Sequence, residues 1–115
     1  MRNYQKLDIW KLGIELVKEV YVLTNEFPRD ERFGLISQLK RSAVSVPSNI
    51  AEGYGRGSDK EFCRFLHIAR GSLYEVETQI IIASELGFID DAKKVETLTQ
   101  HVYAKLHNLT KKLNK

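Results

Sequence analysis

The chain has 115 residues, 43% of them hydrophobic, and a formal net charge of +3. This composition excludes a disordered or collagen-like chain and suffices for one domain with a buried core. No apolar run approaches the ~20 residues that span a membrane, and the polar first ten residues predict no secretory leader. Because Cys63 is the only cysteine, an intrachain disulfide is impossible, and we expect a cytoplasmic protein.

Apolar residues recur at three- and four-residue spacing in four segments, which predicts amphipathic helices over residues 8–27, 32–52, 59–86 and 92–113. Pro28 is expected to end the first helix, whose apolar face covers more than half of its circumference. Pro47 lies inside the second helix and predicts a kink rather than a break, because the apolar stripe keeps its phase across it. The glycine-rich residues 53–57 are expected to end this helix.

Capping signals mark the last two helices. Ser58 and Glu61 have the spacing of a capping box, in which each side chain bonds the other's backbone amide. Gly87 is expected to form a left-handed Schellman C-cap, and Asp90 or Asp91 is expected to cap the fourth helix. Short connections favour antiparallel neighbours, so the predicted fold is all-α, a single up-down-up-down four-helix bundle over residues 1–115.

The sequence contains no pattern typical of an active site or a metal centre. No glutamate has a histidine three residues later, as di-metal helical proteins require, and the three histidines fall on different helical faces. The sequence places no basic residue near Cys63 at a spacing that would activate its thiol. We therefore expect Cys63 to be a small, buried hydrophobic residue rather than a nucleophile. We therefore expect no enzyme activity, no cofactor, no metal and no small-molecule substrate.

Two alternatives to this interpretation involve RNA or phosphate chemistry. A helical ribonuclease or toxin would need an arginine and a histidine that are farther apart in sequence than Arg64 and His67. The spacing of Arg64 and His67 therefore does not match such an active site. The run Gly53-Tyr54-Gly55-Arg56-Gly57 is similar to a phosphate-binding loop, but it follows a helix rather than a strand. An ordinary loop is the expected structure.

Basic residues are in excess in two parts of the chain. Residues 28–57 have five basic and three acidic side chains, and residues 89–115 have six lysines and three acids. This distribution would suit an anionic partner such as RNA, but a mildly basic surface more often serves solubility alone. The predicted nucleic-acid contacts are Arg41, Arg56, Lys60, Arg64, Lys111, Lys112 and Lys115.

A polar stripe along the second helix predicts a contact between subunits. Its members are Gln38, Ser42, Ser45, Asn49 and Glu52. Serine and asparagine are poor helix formers, whereas small polar side chains suit a close contact between helices. Ile80, Ile81 and Ile82 are consecutive, so they point about 100° apart and cannot all face one core. We therefore expect self-association, with Ile81 and Ile82 at the interface.

Three runs carry a resemblance to a known family: Leu7-Asp8-Ile9-Trp10-Lys11, residues 36–53 with Pro47-Ser48-Asn49-Ile50-Ala51-Glu52-Gly53, and residues 69–78 with Ala69-Arg70-Gly71-Ser72-Leu73. Over almost its whole length the chain resembles the bacterial four-helix-bundle family named for intervening sequences in 23S ribosomal RNA genes. The resemblance implies a homo-oligomer, typically a pentameric barrel, without known enzyme activity. It also implies kinship to the accessory protein of diversity-generating retroelements, which binds a reverse transcriptase and nucleic acid.

Arg70 and Glu75 lie in these runs and are assigned to hydrogen bonding between helices or subunits. The function expected from the residues and the resemblance together is that of a non-enzymatic oligomeric binding or scaffold protein. Its basic surface would contact RNA or a nucleoprotein. The alternative is a protein–protein interaction module that binds no nucleic acid.

Overall fold

The computed structural model describes residues 3–114, which form four α-helices, two short 3₁₀ turns and no strand. The helices are α1 (Asp8–Thr24), α2 (Leu35–Gly55), α3 (Asp59–Glu85) and α4 (Lys93–Leu113), and the 3₁₀ turns cover Asn3–Lys6 and Arg29–Glu31. Within the described chain, no helix has the combination of length and apolar character that crossing a bilayer requires. The predicted all-α class with four helices is confirmed.

The four helices share one hydrophobic core. α1 and α3 each pack against both α2 and α4, and the side chains between them are closely packed. The apolar stripe that the three- and four-residue spacing predicts for α3 is buried throughout, and it consists of Phe62, Phe65, Leu66, Ala69, Leu73, Val76, Ile80 and Ala83. Fully burying a side chain of Leu size stabilises the fold by about 1.5–3 kcal/mol. The largest fully buried side chains are Leu16, Leu39, Ile50, Leu66, Leu73, Leu106, Val20, Val46, Val76 and Val102.

The connection between α1 and α2 is longer than the sequence predicts. α1 ends at Thr24 rather than Phe27, because the amides of residues 25–27 bond the carbonyls three residues back and tighten the chain into a turn. α2 begins at Leu35 rather than at residue 32. The Glu31 Oε1 accepts a hydrogen bond from the Leu35 amide at 3.2 Å, which satisfies a free amide at the start of α2.

The end of α2 also differs from the prediction. The helix continues unbroken through the buried Pro47, as expected, and then includes Gly53 and Gly55. At Gly53 the backbone of α2 passes close to α3, since an added Cβ would lie 2.5 Å from the Phe65 Cβ. The chain reverses at Gly57, whose φ of +83° suits glycine.

The predicted N-terminal caps are present in part. The Ser58 hydroxyl accepts a hydrogen bond from the Glu61 amide at 3.2 Å, and this half of the capping box is confirmed. The Glu61 carboxylate, expected to reach back to the Ser58 amide, forms an ion pair with Arg64 Nε at 3.2 Å. At α4 the N-cap residue is Ala92 rather than Asp90 or Asp91, and it makes no side-chain cap bond. Asp91, one residue earlier, accepts a hydrogen bond from the Lys93 amide at 2.9 Å through its Oδ1.

The C-cap of α3 is the predicted Schellman motif. Gly87 has a φ of +75°. The Phe88 amide donates to the Ala83 carbonyl at 2.9 Å and the Gly87 amide donates to the Ser84 carbonyl at 3.0 Å. These two hydrogen bonds satisfy carbonyls that the helix end would leave free.

Candidate functional site

The middle of the polar stripe lies in the contact between α2 and α3 of a single chain. The Ser45 and Ser72 hydroxyls are 2.8 Å apart. The Asn49 Nδ2 donates to both the carbonyl and the hydroxyl of Ser45, at 2.8 and 2.9 Å. Ser42 is buried, whereas Gln38 and Glu52 are exposed. Ser45 therefore bonds α2 to α3 within one chain, and Asn49 bonds Ser45 within α2. These contacts differ from the predicted role of both residues between subunits.

The other predicted interface residues lie on two sides of α3. Ile80 is buried, while Ile81 and Ile82 are 60% and 42% exposed, so the expectation that they cannot share one core is confirmed. Ile81 borders a groove between α3 and α4. Ile82 and the exposed Glu75 are seven residues apart and share another face of α3. The predicted interface residues thus do not form one continuous surface within the chain.

Three of the predicted nucleic-acid contacts form a cluster at the connection between α2 and α3. The guanidinium carbons of Arg56 and Arg64 lie 5.0 and 4.8 Å from the centroid of the Phe65 ring, within the range of a cation–π contact. Lys60 is exposed beside them. We call Arg56, Lys60 and Arg64 the basic cluster.

The end of α4 lies beside the basic cluster. A groove of about 570 Å³ lies between the start of α3 and the end of α4, and it is lined by Lys60, Glu61, Cys63, Arg64, His67, Leu113 and Asn114. Lys111 and Lys112 are exposed in the last turn of α4. Lys115 lies outside the described residues. Arg41 is separate from the cluster, since it precedes Arg56 by ~22 Å along α2 at 1.5 Å per residue.

Cys63 is buried, as predicted, but it does have a basic neighbour. Its Sγ lies 3.7 Å from His67 Nε2 and 3.4 Å from Asn114 Oδ1. The prediction of no local basic partner was wrong, because residues four apart on a helix face the same side. Among the described residues, no group of three or more His, Cys, Asp or Glu side chains is placed to hold a metal ion.

A cluster of aromatic side chains between α3 and α4 was not identified from the sequence. The ring centroids of Tyr74 and Tyr103 are 5.9 Å apart, and those of Tyr103 and His107 are 6.5 Å apart with the rings within 12° of parallel. A hydrogen bond with Tyr103 is the main cause that raises the pKa of the Tyr74 hydroxyl. The four-residue spacing of Tyr103 and His107 was visible in the sequence, but their proximity to Tyr74 was not.

The match to a protein family covers nearly all of these features. The family model described as 23S rRNA-intervening sequence protein matches residues 5–115, a span that contains the three runs on which the resemblance was based. No curated protein matches the chain. The resemblance is thus confirmed over α1 to α4, and the chain belongs to the family of 23S rRNA-intervening sequence proteins.

Proposed function

We propose that this protein is a non-enzymatic, cytoplasmic binding or scaffold protein that assembles with copies of itself and contacts RNA, free or in a nucleoprotein, through a basic surface. The observation that carries the proposal is the basic cluster around the Phe65 ring, together with Lys111 and Lys112 at the adjacent end of α4. Clustered exposed cations are the usual electrostatic feature of proteins that bind nucleic acid.

The ion pairs within the basic cluster are compatible with phosphate binding. Arg56 pairs with Glu52 at 3.3 Å and Arg64 pairs with Glu61 at 3.2 Å, and both arginine side chains are about half exposed, at 48% and 59%. Exposed pairs contribute only about 0–1 kcal/mol, so replacing a carboxylate by a phosphate loses little. Neutralising phosphates also releases counterions from the nucleic acid, which favours binding.

The proposed arrangement of the helices is an up-down-up-down bundle. Contacts between early residues of one helix and late residues of the next support it, and so do ion pairs between α1 and α4. The supporting pairs are Gly13 with Pro47, Gly53 with Phe65, Cys63 with Asn114, Glu19 with Lys94, and Asp8 with Lys105.

Self-assembly, which the resemblance implies to be a pentameric ring, is proposed to use the outer surface of α2 and α3. Val44, Ile68 and Ile82 are apolar yet 40–42% exposed. A ring would repeat the basic cluster on every copy, so that weak phosphate contacts add.

The salt dependence of RNA binding tests the proposal. The plot of log association constant against log salt concentration has a negative slope for a protein that binds a single-stranded RNA through phosphates. We expect the double variant Lys60→Gln/Arg64→Gln to make this slope shallower by about 1.4, or about 0.7 for each lost phosphate contact. Lys18→Gln on α1 is the matched control, because Lys18 forms an exposed i,i+3 pair with Glu15 like that of Arg64 with Glu61. A parent protein that binds no RNA, or binds it independently of salt, would contradict the proposal.

A protein–protein interaction module without nucleic acid is the second candidate. Phe33, between α1 and α2, is 86% exposed, and the Arg32 guanidinium lies 4.8 Å from its ring. Exposed aromatic and arginine side chains are enriched among residues that dominate protein interfaces. A partner that copurifies from nuclease-treated host lysate and is lost with Phe33→Ala would favour this function. Copurification that disappears after nuclease treatment would favour RNA.

A further inference from the structure

We propose that Tyr74, Tyr103 and His107 form a stacking platform for the bases of single-stranded RNA in the groove between α3 and α4. We call these three residues the aromatic platform. The inference rests on the proposed function, since it concerns the same ligand, and it assigns the base contacts to residues outside the basic cluster.

The aromatic platform is exposed and ordered by its own contacts. Tyr74 and Tyr103 are 47% and 37% exposed, and His107 is exposed beside them. The rings of Tyr103 and His107 are near-parallel, and the ring centroids of Tyr74 and Tyr103 are 5.9 Å apart. Rings that are already held in place lose little conformational freedom when a ligand stacks on them. Aromatic side chains bind the bases of single strands in this way and do so with little sequence preference.

The groove beside the platform has room and polar groups for a base. It has a volume of about 310 Å³ and is lined by Tyr74, Tyr103, Glu77, Thr99 and Gln100. The Thr99 hydroxyl donates to the Glu96 carbonyl, whereas Gln100 is exposed. The Gln100 amide therefore offers a donor and an acceptor to a base edge.

Positive charge extends from the platform in one direction along the groove. Lys60 and His67 precede Tyr74 at intervals of seven residues, so they lie on the same face of α3, and Arg70 lies one turn before Tyr74. On α4, Lys111 lies one turn after His107. Within the described part of the chain, Lys60, Arg70 and Lys111 take part in no ion pair. Their charges are available to phosphates.

The length and the polarity of this surface define where an RNA would lie. From Tyr74 to Lys60 the distance along α3 is ~21 Å, which corresponds to about six nucleotides at the ~3.4 Å spacing of stacked bases. Beyond Tyr74 in the other direction, the groove is lined by Glu77, Glu85 and Glu96. These carboxylates repel phosphates, so the RNA backbone is expected to run from the platform towards the basic cluster.

Fluorescence anisotropy with two labelled probes tests the platform in the full-length protein. One probe is an oligouridine of about twelve nucleotides, twice the estimated length of the site, and the other is an abasic strand of equal length. We expect the parent to prefer the probe with bases. Tyr74→Ala and Tyr103→Ala should each raise the Kd for oligouridine about five- to a hundredfold without changing the Kd for the abasic strand. Tyr74→Phe and Tyr103→Phe keep the ring and should bind like the parent.

Each other outcome overturns the platform in a recognisable way. If the parent and the alanine variants bind both probes equally, the protein binds RNA but the tyrosines do not stack on its bases. This result would contradict the platform and not the proposed function. Absence of binding to both probes would remove the proposed function together with the platform. A change in the light-scattering mass of the alanine variants would place the tyrosines between copies of the chain. If the alanine variants lose a protein that copurifies with the parent while their RNA binding is unchanged, the tyrosines belong to a protein interface.

Discussion

At the scale of residues, two glycines of α2 differ in the space around them. Gly53 lies where α2 touches α3, and an added Cβ would be 2.5 Å from the Phe65 Cβ, whereas a Cβ at Gly55 would meet nothing within 4 Å. We expect Gly53→Ala to lower the free energy of unfolding by about 1–3 kcal/mol, because the two helices must separate. Gly55→Ala, in the same helix, should leave it unchanged or raise it by up to about 1 kcal/mol. Urea unfolding of both variants measures the difference, and equal midpoints would contradict the close contact.

At position 87, glycine is needed because of the backbone conformation and not because a neighbouring atom would clash with a side chain. Its φ is +75°, and a Cβ there would meet no neighbour within 4 Å. We expect Gly87→Ala to lower the free energy of unfolding by about 1–2 kcal/mol, because a Cβ is strained in the left-handed region. Ser84→Ala, at an exposed position in the same turn, is the control and should change it by less than about 0.5 kcal/mol. A thermal melt in which both variants match the parent would contradict the role of the C-cap.

At the scale of helices, the contact between α2 and α3 includes a hydroxyl pair. Ser45 and Ser72 are 27 residues apart in sequence and 2.8 Å apart in space. We expect Ser45→Ala to lower the free energy of unfolding by about 1–3 kcal/mol, because the buried Ser72 hydroxyl loses its partner. The double variant with Ser72→Ala should lose less than the sum of the single losses, with a coupling energy of about 0.5–1.5 kcal/mol.

The control for this cycle is a threonine whose hydroxyl bonds within its own helix. Thr78 is exposed and donates to the Tyr74 carbonyl at 2.8 Å. Thr78→Ala should change the free energy of unfolding by less than about 0.5 kcal/mol and show no coupling to Ser45. Strict additivity of the Ser45 and Ser72 losses in urea unfolding would show that the hydroxyl pair contributes nothing to the contact.

At the scale of the whole molecule, the proposed assembly would cover part of the exposed apolar surface. If copies meet on the outer face of α2 and α3, Ile82→Glu should reduce the light-scattering mass of the parent oligomer towards the 13.3 kDa of one chain, because burying an unpaired carboxylate is costly. Val22→Glu on α1 is the matched control, since Val22 is also exposed, at 61%. A monomeric parent, or an Ile82→Glu variant of unchanged mass, would contradict the proposed interface.

The sequence by itself determined the all-α class, the four helices and the caps at Ser58 and Gly87. These features depend on interactions within one or two turns, such as the Ser58 hydroxyl with the Glu61 amide or the Schellman bonds around Gly87. Periodicity also predicted the buried stripe of α3 and the exposure of Ile81 and Ile82. The histidine beside Cys63 was equally local, four residues away, and the spacing alone was sufficient to find it.

Only the tertiary structure decided which faces of different helices meet. Gly53 against Phe65, Ser45 with Ser72, and Tyr74 with Tyr103 are pairs whose contact depends on the rotation and crossing of packed helices. Hydrophobic periodicity fixes the face that a helix turns to the core but not the register between two helices. For that reason the sequence showed the polar stripe of α2 but did not show that Ser45 in this stripe contacts α3 of the same chain. The sequence also did not show that Tyr74 lies beside Tyr103 and His107.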